Sequence, residues 1–339
     1  MKRDGGMNAA PLLELKGVSK RFVKPLDLLA TLGNLLGEHR REETVHAVDR
    51  VDLAIGRGEV VGLVGESGCG KSTLGRMAVG LHGLTEGRRL WKGEDIDALP
   101  AAARRTKQLA MQMIFQDPYA SLNPRMRVQD IVGEAPLVHG LVGRRGQADY
   151  VAQMLLRVGL DGDALRRFPH QFSGGQRARV GIARALAVQP EFLVCDESVA
   201  ALDVSIQAQV INLFMQLRAD LNLTYLFISH DLGVVQHIAE RVVIMYLGRV
   251  VEMAPTAEIF SAPNHPYTQA LLAEAPRLEV RKKTFIAIKG EIPSPLNPPP
   301  GCHFHPRCPH VMVRCKSEVP QLREIAAGRY SACHLNHQK

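Results

Sequence analysis

No stretch of this 339-residue chain approaches the roughly 18 consecutive apolar residues that a membrane-spanning helix requires. A membrane anchor within the chain is therefore not expected. The first residues, MKRDGGMNAAPLLEL, lack the apolar core of a secretory signal, which places the expected compartment in the cytoplasm. Blocks of five or six like charges are also missing, since the Lys and Arg that give a net charge of +8 are scattered. That scatter singles out neither nucleic acid nor an anionic membrane surface as a partner. Cysteine pairs of the C-x₂-C kind are absent too, which removes the commonest zinc-site spacing. What is present, 46% hydrophobic and 22% charged residues, is ordinary for a soluble globular protein. The length is large for one compact core, so one large domain with an appendage, or two domains, is expected.

The chain is organised around GESGCGKST, Gly65 to Thr73, which satisfies G-x-x-x-x-G-K-[ST] at every fixed position. Val60, Val61, Leu63 and Val64 ahead of it read as a buried strand, so the strand, loop and helix order of a phosphate loop is in place. Glycine at Gly65, Gly68 and Gly70 lets the backbone bend sharply and bring successive N–H groups, those of Ser67 and Cys69 among them, to phosphate oxygens. The helix expected from about Lys71 aims its positive end at the same phosphates. Lys71 adds a full charge near the β- and γ-phosphates, and the Ser72 hydroxyl, with Thr73 beside it, can complete a Mg²⁺ shell.

Upstream, residues 12–23 (LLELKGVSKRFV) read as a strand ending near Phe22, and Val51, Leu53 and Ile55 as a second. Between them Leu28, Leu29, Leu32, Leu35 and Leu36 fall at helical spacing and predict a short amphipathic helix. Downstream, Met113, Ile114 and Phe115 close a strand. Gln116 stands where that strand gives way to a Pro-containing loop, within reach of Mg²⁺ or a water; read alone it is an ordinary surface glutamine. Residues 127–168 show helical periodicity and no strand signal, which predicts a helical subdomain inserted into the sheet-forming core. It ends at PHQFSGGQRARVGIARAL, where Ser173 and Gln176 make a capping-box pattern and Gly174 and Gly175 leave the first helical N–H groups uncovered. A second anion site results.

EFLVCDES, residues 191–198, predicts a buried parallel strand that delivers two acids to the carboxyl edge of the sheet. Asp196 can hold Mg²⁺ through a water, and Glu197 can orient or deprotonate the water that attacks the γ-phosphate. TYLFISHD ends at His230, placed to bond a γ-phosphate oxygen. Residues 242–252 read as a hairpin turning at Gly248, after which the nucleotide domain is expected to close near Pro255.

The ordered set of phosphate loop, Gln116, FSGGQ, LVCDE, ALD at 201–203 and His230 resembles the ATP-binding subunits of ABC transporters. HPYTQALL at 265–272, PSPLNPPPGC at 293–302 and the terminal cysteines resemble, within them, the F-type subunits of the dipeptide/oligopeptide importer branch. The resemblance implies a P-loop NTPase (RecA-like) α/β core with an antiparallel β subdomain and an inserted helical subdomain. It further implies that two such subunits pair head to tail, so that Ser173, Gly174, Gly175 and Gln176 of one close over nucleotide held by the other. By the same resemblance Phe22 stacks on adenine, Gln116 binds Mg²⁺, Glu197 is the catalytic base and His230 braces the γ-phosphate. The implied partners are a second, usually different, ATPase subunit, two transmembrane permease subunits and, indirectly, a periplasmic peptide-binding protein. The implied location is the cytoplasmic face of the bacterial inner membrane. Three departures from the pattern are Phe172 for leucine, Ser198 for proline and Ala200 for serine, none of which removes a phosphate, metal or base group.

Five prolines in residues 293–300 predict an extended arm, and Cys302, Cys308, Cys315 and Cys333 follow with gaps of 5, 6 and 17 residues. Four thiolates suit zinc or an iron-sulfur cluster, and the spacing alone decides between neither. The importer resemblance implies a 4Fe-4S cluster on this quartet; His303, His305, His310 and His334 lie close by in the sequence as candidate substitute ligands. The domains read as 1–255, with the helical insert at about 117–186, and a cysteine-bearing extension at 256–339. Two rival functions remain at this level: a soluble P-loop ATPase acting on nucleic acid or ribosomes, and a metal-sensing module that merely binds ATP. A transporter of an opine, glutathione or a metal chelate is a third alternative, since the substrate never touches this subunit.

Overall fold

The computed structural model describes residues 10–25, 42–117, 120–274 and 290–337. The predicted leucine-rich helix lies outside these residues. The first strands, β1 (Leu13–Lys24) and β2 (Glu43–Ile55), pair antiparallel. β3 (Val60–Val64) runs into the phosphate loop and α1 (Lys71–Ala78), and β4 (Glu86–Trp91) and β5 (Glu94–Asp95) return to β1, giving a four-stranded sheet in the order β2-β1-β4-β5. α2 (Ala101–Leu109) then leads to β6 (Met111–Ile114).

Three α-helices follow, α3 (Val128–Val138), α4 (Gln147–Arg157) and α5 (Gly174–Leu186), joined by short 3₁₀ turns. The chain returns to the core as β7 (Phe192–Asp196), α6 (Val204–Leu221), β8 (Thr224–Ile228) and α7 (Leu232–Ile238). β9 (Arg241–Tyr246) and β10 (Arg249–Pro255) form the predicted hairpin; Leu247 and Gly248 turn it, both at positive φ. α8 (Thr256–Ser261), α9 (Pro266–Glu274), β11 (Arg323–Ala326) and β12 (Arg329–Ser331) complete the chain.

The second sheet has eight strands in the order β11-β12-β10-β9-β3-β8-β7-β6, parallel from β9 through β6 and antiparallel from β9 through β11. β3, β7 and β8 are buried at every position, because each lies between strand neighbours and is covered on both faces. Their side chains alternate accordingly. Val61, Leu63, Leu226 and Ile228 face a core shared with Leu74 and Met77 of α1 and with β1 and β2, whereas Val60, Val64, Tyr225 and Phe227 face Phe214 of α6 and Val235 of α7. Burying a Leu or Phe this way stabilises the fold by about 1.5–3 kcal/mol per side chain. The result holds the carboxyl ends of β3, β6, β7 and β8 in one row.

The proline arm departs from the expected extended form. The Asn297 N–H donates to the Ser294 carbonyl at 3.2 Å, a turn, and the Pro295 carbonyl accepts the His46 N–H at 3.0 Å, which lays the arm against β2. The extension beyond it shares the main sheet, since Ser331 and Tyr330 of β12 pair with Glu252 and Met253 of β10. No helix among the described residues is long and apolar enough to cross a membrane.

Candidate functional site

Two positions of the loop that leaves β3, Gly65 and Gly70, admit no side chain. A Cβ on Gly65 would stand 2.2 Å from the Met245 carbonyl oxygen, and one on Gly70, whose φ is +104°, 2.1 Å from that of Ala47. Both obstacles are backbone, which cannot yield. Gly70 also caps α1 without a side chain, so the first N–H groups of the helix face the loop uncovered by a cap. Lys71 is 5% exposed and donates from Nζ to the carbonyl oxygens of Gly65 at 2.7 Å and Glu66 at 3.0 Å. A buried ammonium needs such partners, and here the loop itself supplies them, beside the place where phosphate oxygens would replace them. Ser67 and Gly68 are exposed on the rim. The Cys69 thiol is buried and pushed up by that burial, which leaves only its backbone for a ligand.

At the end of β7, the Ser72 hydroxyl donates to Asp196 Oδ1 at 2.8 Å. Burial raises the Asp196 carboxyl above the usual range, and the Ser72 hydrogen bond pulls it partly back. The next residue, Glu197, takes the left-handed backbone region at φ 46° while its N–H stays on the Ile228 carbonyl at 2.9 Å. That conformation costs an ordinary residue on the order of 1–2 kcal/mol. It turns the Glu197 carboxylate so that Oε2 accepts from Gln116 Nε2 at 2.7 Å and lies 3.4 Å from His230 Nδ1. Gln116, Glu197 and His230 thus come from the ends of three adjacent parallel strands, β6, β7 and β8, and meet on one carboxylate. A carboxylate held between an amide donor and an imidazole is oriented to take a proton from water.

Ser173 and Gln176 do form a capping box. The Gln176 N–H donates to Ser173 Oγ at 3.3 Å, and the Ser173 N–H donates to Gln176 Oε1 at 3.0 Å. Those bonds close the box on itself and do not bring it onto the phosphate loop of its own chain. Gly175 has no room for a side chain, because its Cβ would meet Ile206 Cγ2 at 2.4 Å, so the glycine seats α5 against α6. Phe22 is 38% exposed on β1, its ring edge-on to His82 at 5.5 Å and 5.1 Å from Lys20 Nζ.

Residues 48–200 match the family model described as ABC transporter, and residues 251–315 the one described as oligopeptide/dipeptide transporter, C-terminal region. The oligopeptide transport ATP-binding protein AppF of Bacillus subtilis (strain 168) is 48% identical over 332 residues, covering 97% of this chain and 98% of AppF. The chain belongs to the ABC transporter ATPases. Two solved ABC structures share its fold. The cbiO1 protein from Clostridium perfringens, part of the ABC transporter complex cbiONQ, superimposes with TM-score 0.61 at 25% identity, over 75% of this chain and 92% of cbiO1. The ATP-binding cassette MJ0796, a dimer in a post-hydrolysis state with ADP and Pi, gives TM-score 0.61 at 26% identity, over 72% of this chain and 98% of MJ0796. The P-loop NTPase core with its antiparallel and mixed sheets is therefore shown, and the nucleic-acid and metal-sensing alternatives give way to an ABC ATPase.

The departures from the ABC pattern have unequal explanations. Phe172 is buried with the Arg167 guanidinium 4.1 Å from its ring centroid, a cation–π contact that a leucine cannot make. Nothing in the structure explains Ser198, whose hydroxyl is buried without a hydrogen-bond partner. Ala200 is exposed.

In the extension of this ABC ATPase, Cys302, Cys308, Cys315 and Cys333 line one small cavity, with His305, His310 and His334 on its wall. His303 does not join them. Its Nδ1 lies 2.9 Å from the Leu247 carbonyl, so it serves the β9–β10 turn rather than standing in as a ligand. His265, which the sequence reading passed over, lines the cavity instead. Among the described residues, no three His, Cys, Asp or Glu side chains stand close enough to hold a single metal ion. Tyr267 was also missed. Its hydroxyl accepts the Glu66 N–H of the phosphate loop at 2.9 Å, and the HPYTQALL segment that carries it pointed only to a family.

Proposed function

We propose that this ABC ATPase powers the uptake of dipeptides or oligopeptides at the cytoplasmic face of the bacterial inner membrane. The observation that carries the reading is the identity with AppF, a protein named for oligopeptide transport, along nearly the whole of both chains. Its partners in this reading are a second, different ATPase subunit, two membrane permease subunits and, through them, a peptide-binding protein outside the membrane. A cavity of about 480 Å³, walled by Leu81, Arg105, Leu109, His139 and Phe115, the residue before Gln116, offers a permease segment a seat. Residues 1–255 act as the nucleotide-binding domain, 117–186 as its helical insert and 256–339 as the extension.

Within the site, Phe22 packs on adenine, and Gly65 through Thr73 enclose the phosphates. Ser72, Gln116 and Asp196 are the oxygen donors that fit Mg²⁺, which when bound supplies positive charge against the phosphoryl oxygens. Lys71 and the loop N–H groups bind and orient the triphosphate. Glu197, fixed by Gln116, takes the proton of the attacking water at its carboxylate, and His230 braces the γ-phosphate. Ser173, Gly174, Gly175 and Gln176 serve the nucleotide of a paired subunit, a pairing that the dimeric MJ0796 cassette supports. The test is reconstitution of this chain with its partners in vesicles. ATP-dependent accumulation of a labelled dipeptide is expected, whereas uptake of an opine or a metal chelate and no peptide would refute the substrate class.

For the cysteine cavity we propose a 4Fe-4S cluster on Cys302, Cys308, Cys315 and Cys333; zinc is the alternative, and it would require these side chains to draw closer together than they stand. Support comes from the donor set: four soft thiols and no carboxylate line one space, the chemistry that iron-sulfur clusters take. When bound, such a group would cross-link the extension. Cys302→Ser is expected to bleach the brown absorbance of anaerobically purified protein. A colourless wild type carrying one equivalent of zinc would decide for the alternative.

A further inference from the structure

Glu66 occupies one of the free positions of the phosphate loop, and placing an acid where a triphosphate must settle is electrostatically adverse. The structure shows how each of its polar groups is held. Its N–H donates to the Tyr267 hydroxyl at 2.9 Å, its carbonyl accepts Lys71 Nζ at 3.0 Å, and its carboxylate receives a two-pronged contact from Arg307. Arg307 Nη1 stands 2.7 Å from Oε2 and Nη2 2.9 Å from Oε1. The arginine is 5% exposed and the glutamate 18%, so solvent screens the pair little. Nη1 also reaches the Tyr246 hydroxyl at 3.4 Å. Arg307 sits in the short turn His305–Arg307 between Cys302 and Cys308, so of the four groups holding Glu66 two, Tyr267 and Arg307, come from the extension, and two, Lys71 and the Cys69 N–H at 3.3 Å, from the loop and its helix.

We propose that Arg307 is a positioning residue for nucleotide binding, which cancels the Glu66 charge at the mouth of the phosphate loop and ties that loop to the cysteine-bearing turn. The proposal rests on the reading of Gly65 to Thr73 as the nucleotide site. A guanidinium fork suits the task because it covers both carboxylate oxygens in one plane, which an ammonium cannot do. Without it, a half-buried carboxylate is left uncompensated beside the incoming phosphates. The size of the effect therefore depends on Glu66. A purely structural arginine would lower the melting temperature whatever residue stood at that position, and would leave affinity alone.

A double-mutant cycle on the full chain, read by titration with a fluorescent ATP analogue and Mg²⁺, separates the two roles. Arg307→Ala is expected to weaken binding about tenfold in the presence of Glu66 and less than about twofold in the Glu66→Gln background, a coupling of ordinary allosteric size. Arg307→Lys, which keeps the charge and loses the fork, is expected to fall between and carries the test should Arg307→Ala fail to fold. Wild-type affinity in Arg307→Ala or Arg307→Lys, or an equal loss with and without Glu66, would overturn the proposal. Lys71→Met is the control: if the wild type bound no nucleotide, or bound it no better than Lys71→Met, the nucleotide-site reading itself would fall.

Discussion

Glu197→Gln is expected to cut ATP turnover by the assembled transporter about 10²- to 10⁴-fold, the range that a positioned general base supplies, and to leave MgATP binding within a few-fold of wild type. Glutamine has nearly the shape of glutamate but cannot accept a proton at neutral pH, so the substitution isolates the proton-accepting step. The contacts make the isolation clean. Glu197 touches Gln116 and His230 and lies off the Gly65–Thr73 loop that grips the phosphates, so its loss disturbs the water side of the reaction and spares the binding side. Single-turnover hydrolysis, with binding measured separately, is the deciding measurement. Turnover at the wild-type rate would sink the role given to Glu197 and move attention to His230, 3.4 Å away.

Much of this site is legible in the chain because its signals are local. The run Val60–Val64 reads as a buried strand because it is apolar at nearly every position, and the glycines of the loop declare themselves by spacing. The Ser173 and Gln176 box is written within four residues and forms as its pattern says. What spacing cannot carry is strand order. Gln116 and Glu197 are 81 residues apart and meet only because β6 lies beside β7, a pairing that no periodicity in either segment encodes. The same limit hid Tyr267 and Arg307, which are 201 and 241 residues from Glu66. His303 failed in the opposite direction. Its neighbour Cys302 made it look like a ligand, but the turn presses its ring onto the Leu247 carbonyl, and a residue adjacent in sequence points elsewhere in space.

Lys71→Met is expected to weaken MgATP binding about 100-fold or more, since two charge-assisted hydrogen bonds at about 1.5–3 kcal/mol each are lost together. Methionine keeps the apolar stem that packs in the loop and removes only the charge, so the loss reports on the ammonium rather than on a cavity. The free loop also feels the change, because the Gly65 and Glu66 carbonyls that now share Nζ lose their donor. A melting curve alongside the titration separates that disturbance from the missing phosphate contact: a shift of a few degrees with a hundredfold loss of affinity assigns the loss to the nucleotide. The two variants then fail at different steps, Glu197→Gln with nucleotide bound and water unactivated, Lys71→Met with the nucleotide scarcely held. Wild-type affinity in Lys71→Met, together with slow turnover, would mean that the ammonium acts only on the charge developing at the γ-phosphoryl group, and ground-state binding would then fall to the backbone N–H groups of the loop.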